Sequence, residues 1–118
     1  MRYLFVLNDP PYGTERSFNA IRHARELLKK KEAGTEVRVF LMGDAAAGAK
    51  TGQKVPQGYY NIESMLQILV RHGAAIAACG SCIDARGIAD NDLLPGAVRG
   101  SMALLAEWTE WADKVMVY

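Results

Sequence analysis

Short apolar runs alternate with amphipathic segments along almost the whole chain, and this alternation constrains the fold more than any other feature. The runs at 2–7, 36–42, 74–78 and 114–118 are short, continuous and apolar, as is typical of buried parallel strands. A further short strand is expected at 93–98. Strands that alternate with helices predict a parallel sheet covered by helices on both faces.

Three segments have apolar residues at helical spacing and are predicted to be helices. They span 14–31, 61–72 and 99–112. Thr14 and Asn61 are the expected N-caps of the first two, and Gly34 and Gly73 follow as stop signals. The residues predicted to face inward are, in chain order, Phe18, Ile21, Ala24, Leu27, Leu28, Ile62, Met65, Leu66, Leu69, Met102, Leu105, Trp108 and Trp111.

The composition favours a single domain with an ordinary core, because half of the 118 residues are hydrophobic. Charged residues make up 23% and the formal net charge is +1, which gives no electrostatic reason to expect nucleic acid or a membrane surface as a partner. The apolar run near the N-terminus is too short for a signal peptide, and no segment approaches the length of a membrane span. We therefore expect a cytoplasmic protein without a permanent disulfide.

Three loops follow predicted strands and should meet at one edge of the sheet, where ligands gather in folds of this type. They are "NDPPYGT" at 8–14, the segment 43–60, and "CGSCIDARG" at 79–87. The first loop holds Tyr12 and Thr14, which are candidate substrate-binding residues. A plain strand-to-helix turn explains this loop nearly as well. The convergence of the three loops is the main structural argument for a site.

The segment 43–60 is long for a connection in a compact domain, and such segments are often functional or mobile. We expect a mobile flap over Cys79, with a short helix at 44–50. Gly43 and Gly48 have the separation found in a phosphate-binding loop, but Ala49 displaces the lysine by one residue. The lysine of that motif directly follows the glycine, so a nucleotide phosphate loop is disfavoured.

The cysteine pair, Cys79 and Cys82, carries the most chemical information. Cys79 ends a predicted strand, and residues 80–87 are predicted to begin a short helix whose amides would stabilise a thiolate. Gly80 permits close approach of the backbone, and Arg86 adds positive charge. These features favour a nucleophilic sulfur, and an inert, buried Cys79 is the competing interpretation.

Two other cysteine chemistries fit less well. A thioredoxin-like dithiol matches the local "CGSC" layout, but the rest of the chain shows no antiparallel hairpin after the motif. A zinc site needs four ligands, one Cys-x-x-Cys supplies two, and His23 and His72 have no metal-ligand spacing to the cysteines. We therefore expect no metal within one chain and no bound cofactor.

The sequence resembles the DsrE/DsrF-like family, which includes the TusD-type sulfur-relay subunits. The matching segments are "NDPPYGTERSFNAIRHA", "VFLMGDA", "YYNIESMLQILVRHGAAIAACGSCIDARGI" and "ADKVMV", which span nearly the whole chain in order. The resemblance implies a single domain over residues 1–118, a three-layer α/β/α sandwich with a mainly parallel five-stranded sheet. It also implies a homo-oligomer, expected to be a trimer or a hexamer.

In the sulfur-relay members, a cysteine at the end of the third strand accepts sulfur as a persulfide, and Cys79 matches that position. Cys82 departs from the relay pattern and would resolve the persulfide or form a disulfide. We interpret the chain as a persulfide carrier or sulfurtransferase-type protein whose partners are sulfur donor and acceptor proteins or small sulfur species. A non-catalytic subunit that binds a small ligand or has a regulatory role is the alternative. The candidate site residues are Cys79 and Cys82 as catalytic groups and Tyr12, Thr14, Gly80 and Arg86 as substrate-binding groups.

Overall fold

The computed structural model describes residues 1–30 and 34–118, and across these residues five strands form a single sheet. The strands are β1 (Arg2–Leu7), β2 (Glu36–Leu41), β3 (Ala75–Cys79), β4 (Ala97–Gly100) and β5 (Lys114–Val117). The α-helices are α1 (Arg16–Lys29), α2 (Ile62–Arg71), α3 (Gly80–Ala85) and α4 (Met102–Trp111). The strand order is β4-β3-β2-β1-β5, and each neighbouring pair is parallel. The predicted fold class, a parallel sheet flanked by helices, is confirmed.

One face of the sheet carries the larger core. Helices α1 and α2 and a 3-10 helix at Gly43–Ala49 pack on this face, against side chains such as Phe5, Val39 and Ile76. The start of α2 is defined by Asn61, whose side chain accepts a hydrogen bond from the Ser64 amide at 3.0 Å, as an N-cap does. The apolar stripes predicted for these two helices are therefore confirmed as their inward faces.

The opposite face of the sheet has a smaller core, which α4 covers. Leu4, Phe40, Ala77 and Cys79 point to this side and pack with Trp108, the buried residue of α4. The Phe40 and Trp108 rings meet edge to face, with centroids 5.9 Å apart. On the adjoining edge strand β5, Val115 and Val117 remain 43% and 68% exposed. This face is therefore much less covered than the other.

Two predicted boundaries near the C-terminus were wrong. The short strand expected at 93–98 lies at Ala97–Gly100, and the helix expected from residue 99 begins at Met102. The reason is tertiary pairing, because Cys79 pairs with Gly100 in the sheet and Ser101 then caps α4 by accepting from the Leu104 amide. Met102 is 63% exposed, contrary to the inward position predicted for it, and Leu105 and Trp111 are half-buried.

The first helix is shorter than predicted. It begins at Arg16 after Glu15 rather than at Thr14, whose hydroxyl instead donates to Asp9 at 3.2 Å and accepts from the Arg16 amide. It ends at Lys29, and the predicted last residue, 31, lies outside the described residues.

The segment 43–60 differs from the expected flap. Its first part is the 3-10 helix Gly43–Ala49, in which Ala45, Ala46 and Ala49 are buried in the larger core. Its second part is anchored by Gln53, whose side-chain amide donates to the carbonyls of Gly48 and Lys50, each at 2.8 Å. These contacts fix the segment to the body of the protein, because buried side chains and satisfied hydrogen bonds oppose local opening.

Within the described residues, no helix is both long enough and apolar enough to cross a bilayer.

The packing of α4 gives a stability prediction. Replacing Trp108 with Ala removes the side chain that buries this helix against Phe40, so the free energy of unfolding should fall by about 3 kcal/mol. The matched control is Glu107→Ala on the exposed side of the same helix, which should change it by less than about 0.5 kcal/mol. Urea unfolding followed by circular dichroism measures both. Equal effects of the two substitutions would contradict this packing.

Candidate functional site

The two cysteines flank a sharp junction between a strand and a short helix. Cys79 is the last residue of β3, and α3 begins at the next residue, Gly80. Because side chains alternate along a strand, the Cys79 side chain points to the α4 side of the sheet, together with the side chain of Ala77. Cys79 is 6% exposed, Cys82 is half-buried, and both thiols are free. The pair therefore lies at the carboxyl end of the central strands.

Hydrogen bonds distinguish the two thiols. The Cys79 sulfur lies 3.4 Å from the Ser81 hydroxyl, and burial opposes its ionisation. Hydrogen bonds from Cys82 and Ser81, through their side chains and backbone amides, outweigh this burial and lower the pKa of Cys79 below that of an ordinary cysteine. The thiolate is the nucleophilic form of a cysteine, so this shift favours reaction at Cys79.

Cys82 has the opposite tendency. Burial and the hydrogen bond to Cys79 raise the pKa of the Cys82 thiol. The Gly43 amide, which donates to the Cys82 sulfur at 3.2 Å, and the charge of Arg86 act in the other direction without reversing the shift. The pair therefore holds one thiol disposed to ionise and one disposed to keep its proton and donate it.

Arg86 secures the far end of α3. Its guanidinium forms an ion pair with Asp44 at 2.5 Å and donates to the Cys82 carbonyl at 3.0 Å. The ion pair joins α3 to the start of the 3-10 helix, next to the Gly43 amide that contacts Cys82. Arg86 was predicted to add positive charge to the site. Through these contacts its guanidinium also holds the cysteine turn in place.

Gly80 leaves room for a close contact that the sequence alone did not suggest. A Cβ atom at this position would lie 2.7 Å from Nε of Arg99, a residue of β4. The Arg99 guanidinium crosses the turn and pairs with Asp84 at 2.6 Å and with Asp90 at 3.1 Å. A second arginine thus ties α3 to the rest of the sheet, and glycine leaves room for it.

Tyr12 and Thr14 belong to a different cluster from the cysteines. The Tyr12 hydroxyl donates to the Gln53 side chain at 2.5 Å and accepts from the Ile62 amide at 3.1 Å. Thr14 bonds to Asp9. The contacts of both residues are made with the first loop and with residues 53–62. The three loops predicted to converge therefore form two groups, one around the cysteines and one around Tyr12.

Three contributors to the cysteine group were missed by sequence reasoning. Ser81 lies inside the recognised motif and was available as a signal, since a hydroxyl between the cysteines can donate to either. Gly43 and Arg99 had no local signal, because the first contributes a backbone amide and the second was assigned to a helix.

The fold and this turn define a class of α/β proteins that carry a paired thiol at the carboxyl end of the third strand of a parallel sheet. A model of the DsrE/DsrF-like family matches residues 1–118. The chain belongs to the DsrE/DsrF-like family.

Individual relatives span the whole chain. Protein YchN of Escherichia coli (strain K12) is 39% identical over 117 residues, which cover 99% of this chain and 98% of YchN. The crystal structure of the ychN protein from E. coli matches with a TM-score of 0.90 over 99% of this chain and 98% of that one. Sulfurtransferase TusD of Salmonella paratyphi B is 25% identical over 129 residues, which cover 100% of both chains.

The pKa directions predict the order of reaction of the two thiols. As pH rises, alkylation of each cysteine follows the appearance of its thiolate, so the rate at Cys79 should rise at a lower pH than the rate at Cys82. Limited treatment with iodoacetamide between pH 5 and 10, followed by peptide mass spectrometry, measures the two profiles in one protein. A lower midpoint for Cys82 would contradict the hydrogen-bonding described here.

Proposed function

We propose that this protein is a sulfur carrier of the sulfurtransferase type, which acts in the cytoplasm and holds sulfur on Cys79 as a persulfide. The observation that carries the proposal is the hydrogen-bonded thiol pair, in which the pKa of Cys79 is lowered and that of Cys82 is raised. Family membership and the similarity to a protein named as a sulfurtransferase support the same chemistry. The exchange partners would be donor and acceptor proteins or small sulfur species.

Loading is a thiol exchange at a sulfane sulfur. The Cys79 thiolate attacks the terminal sulfur of a polysulfide or of a donor persulfide. A bond forms between that sulfur and Cys79 Sγ, the sulfur–sulfur bond of the donor breaks, and the shortened donor leaves as a thiolate or hydrosulfide. The hydrogen bonds from Ser81 and Cys82 stabilise the attacking anion before the exchange. The net result is a Cys79 persulfide, with no external oxidant.

Cys82 provides an exit for the carried sulfur. When its thiol loses its proton, the Cys82 sulfur attacks Cys79 Sγ, a disulfide forms, and the outer sulfur leaves as hydrosulfide. An acceptor thiol competes with this step by attacking the outer sulfur itself. The raised pKa of Cys82 slows the internal attack at neutral pH and so favours transfer to an acceptor.

Substitution of each cysteine tests the separate roles proposed for Cys79 in loading and Cys82 in release. After polysulfide treatment, Cys79→Ser should show no labile gain of sulfur in intact-mass analysis, because the acceptor thiolate is gone. Cys82→Ser should load normally and hold the sulfur longer than the wild type, because the internal attack is gone. Normal loading of Cys79→Ser together with loss in Cys82→Ser would reverse the assigned roles, and normal loading of both variants would reject the assignment of the carried sulfur to Cys79.

We also propose a homo-oligomer, a trimer or a hexamer. Its support is the thinly covered side of the sheet, where Val115 and Val117 of β5 and Met102 of α4 are exposed. Val115 and Val117 lie beside Leu4 and Val6 in the sheet, so the exposed apolar surface continues the smaller core. Light scattering at micromolar concentration tests the assembly. A monomer mass would refute it.

A further inference from the structure

A cleft away from the cysteines is lined by aromatic side chains and has a volume of about 430 Å³. Its walls are Tyr12 and Gly13 of the first loop, Tyr59 and Tyr60 before α2, and the stretch 54–56. The volume falls within the range of small-molecule sites. The cleft is separate from the cysteine turn, because none of its lining residues belongs to the stretch 79–87.

The aromatic walls are held in place before any ligand arrives. The Tyr12 and Tyr60 rings are stacked, with centroids 5.9 Å apart, and Tyr60 in turn stacks on Phe18 at 4.3 Å. The Tyr12 hydroxyl donates a hydrogen bond to Gln53 and accepts one from the Ile62 amide, and these two bonds fix the Tyr12 ring. Pre-organised walls reduce the conformational entropy that a ligand must remove on binding.

Tyr59 differs from the other rings because it is 71% exposed. It follows a turn in which its amide donates to the Pro56 carbonyl at 3.1 Å, with Gly58 at a φ of +88°. A positive φ at the third position of such a turn requires glycine, so the turn presents Tyr59 in a defined direction at the mouth of the cleft. This large aromatic surface is available for stacking.

Lys54 decides the charge of the ligand. Lys54 lines the cleft, and within the part of the chain that the structure describes no carboxylate lies within ion-pair distance of its ammonium group. A set of tyrosines alone would suit a cation, but a lysine at the rim repels one and attracts an anion. The aromatic faces favour a flat ring system.

We propose that this cleft binds a small anion that carries a planar heteroaromatic ring, of the chemical class of a nucleoside monophosphate. The ring stacks against the exposed Tyr59 beside the pre-organised wall of Tyr12 and Tyr60, and the phosphate pairs with Lys54. This site lies beyond the sulfur chemistry proposed for Cys79, and it does not depend on that function.

Calorimetric titration with adenosine 5′-monophosphate tests the proposal on the full-length protein. One saturable site per chain is expected. Adenosine, which lacks the phosphate, and ribose 5-phosphate, which lacks the ring, should each bind about tenfold more weakly or worse. Equal affinity for adenosine and its monophosphate would overturn the role of Lys54, and absence of saturable binding would overturn the site.

Variants locate the binding in the cleft. Tyr59→Ala and Lys54→Gln should each weaken binding about tenfold, through lost stacking and a lost charge-assisted contact. The matched controls are Tyr59→Phe, which keeps the ring, and Lys114→Gln, which removes an exposed lysine from β5, and both should stay within about twofold of the wild type. Unchanged affinity in both cleft variants would overturn the proposal.

Two further measurements separate this site from the other proposals. Cys79→Ser should bind the nucleotide as the wild type does, so failure of sulfur loading and failure of this site are independent results. Light scattering of Tyr59→Ala reports on assembly. A changed oligomer mass without nucleotide binding to the wild type would assign the cleft to contact between copies and overturn the ligand site.

Discussion

The parallel pairing of β3 with β4 is the constraint on which the candidate site depends. It pairs Cys79 with Gly100, which places the first thiol at the last paired position of β3 and β4. One residue earlier in β4, Arg99 extends over Gly80 and pairs with Asp84 near the end of α3. The register of one strand pair therefore sets both the position of the Cys79 thiol and the orientation of the turn that follows it.

Two ion pairs hold this turn from opposite sides. Arg99 draws α3 toward β4, and the ion pair between Arg86 and Asp44 draws it toward the 3-10 helix that follows β2. Exposed ion pairs of this kind contribute little to global stability. Their importance is positional, because a small movement of α3 would remove the Ser81 and Cys82 amides from the Cys79 sulfur.

The fold could be predicted from the sequence wherever the residues of a local apolar pattern are also the ones buried in the sheet or against it. The runs that became β1, β2 and β3 are buried in the sheet, and the stripes of α1 and α2 face the larger core, so periodicity and burial agreed. The stretch from 97 to 105 is mostly apolar without a clear strand or helix period, and only pairing with β3 decides that Arg99 belongs to a strand. In the site, the cysteine motif was visible, whereas the Gly43 amide and the Arg99 side chain are brought in by topology.

The central claim is that Cys79, and not Cys82, receives the sulfur. The most direct measurement is fragmentation mass spectrometry of the wild-type peptide 72–86 after brief polysulfide treatment and alkylation of the resulting persulfide, since this peptide contains both cysteines. The account predicts the extra sulfur on the fragment that ends at Gly80, with loss of the extra mass after reduction. Extra sulfur confined to the fragment that begins at Ser81 would contradict it.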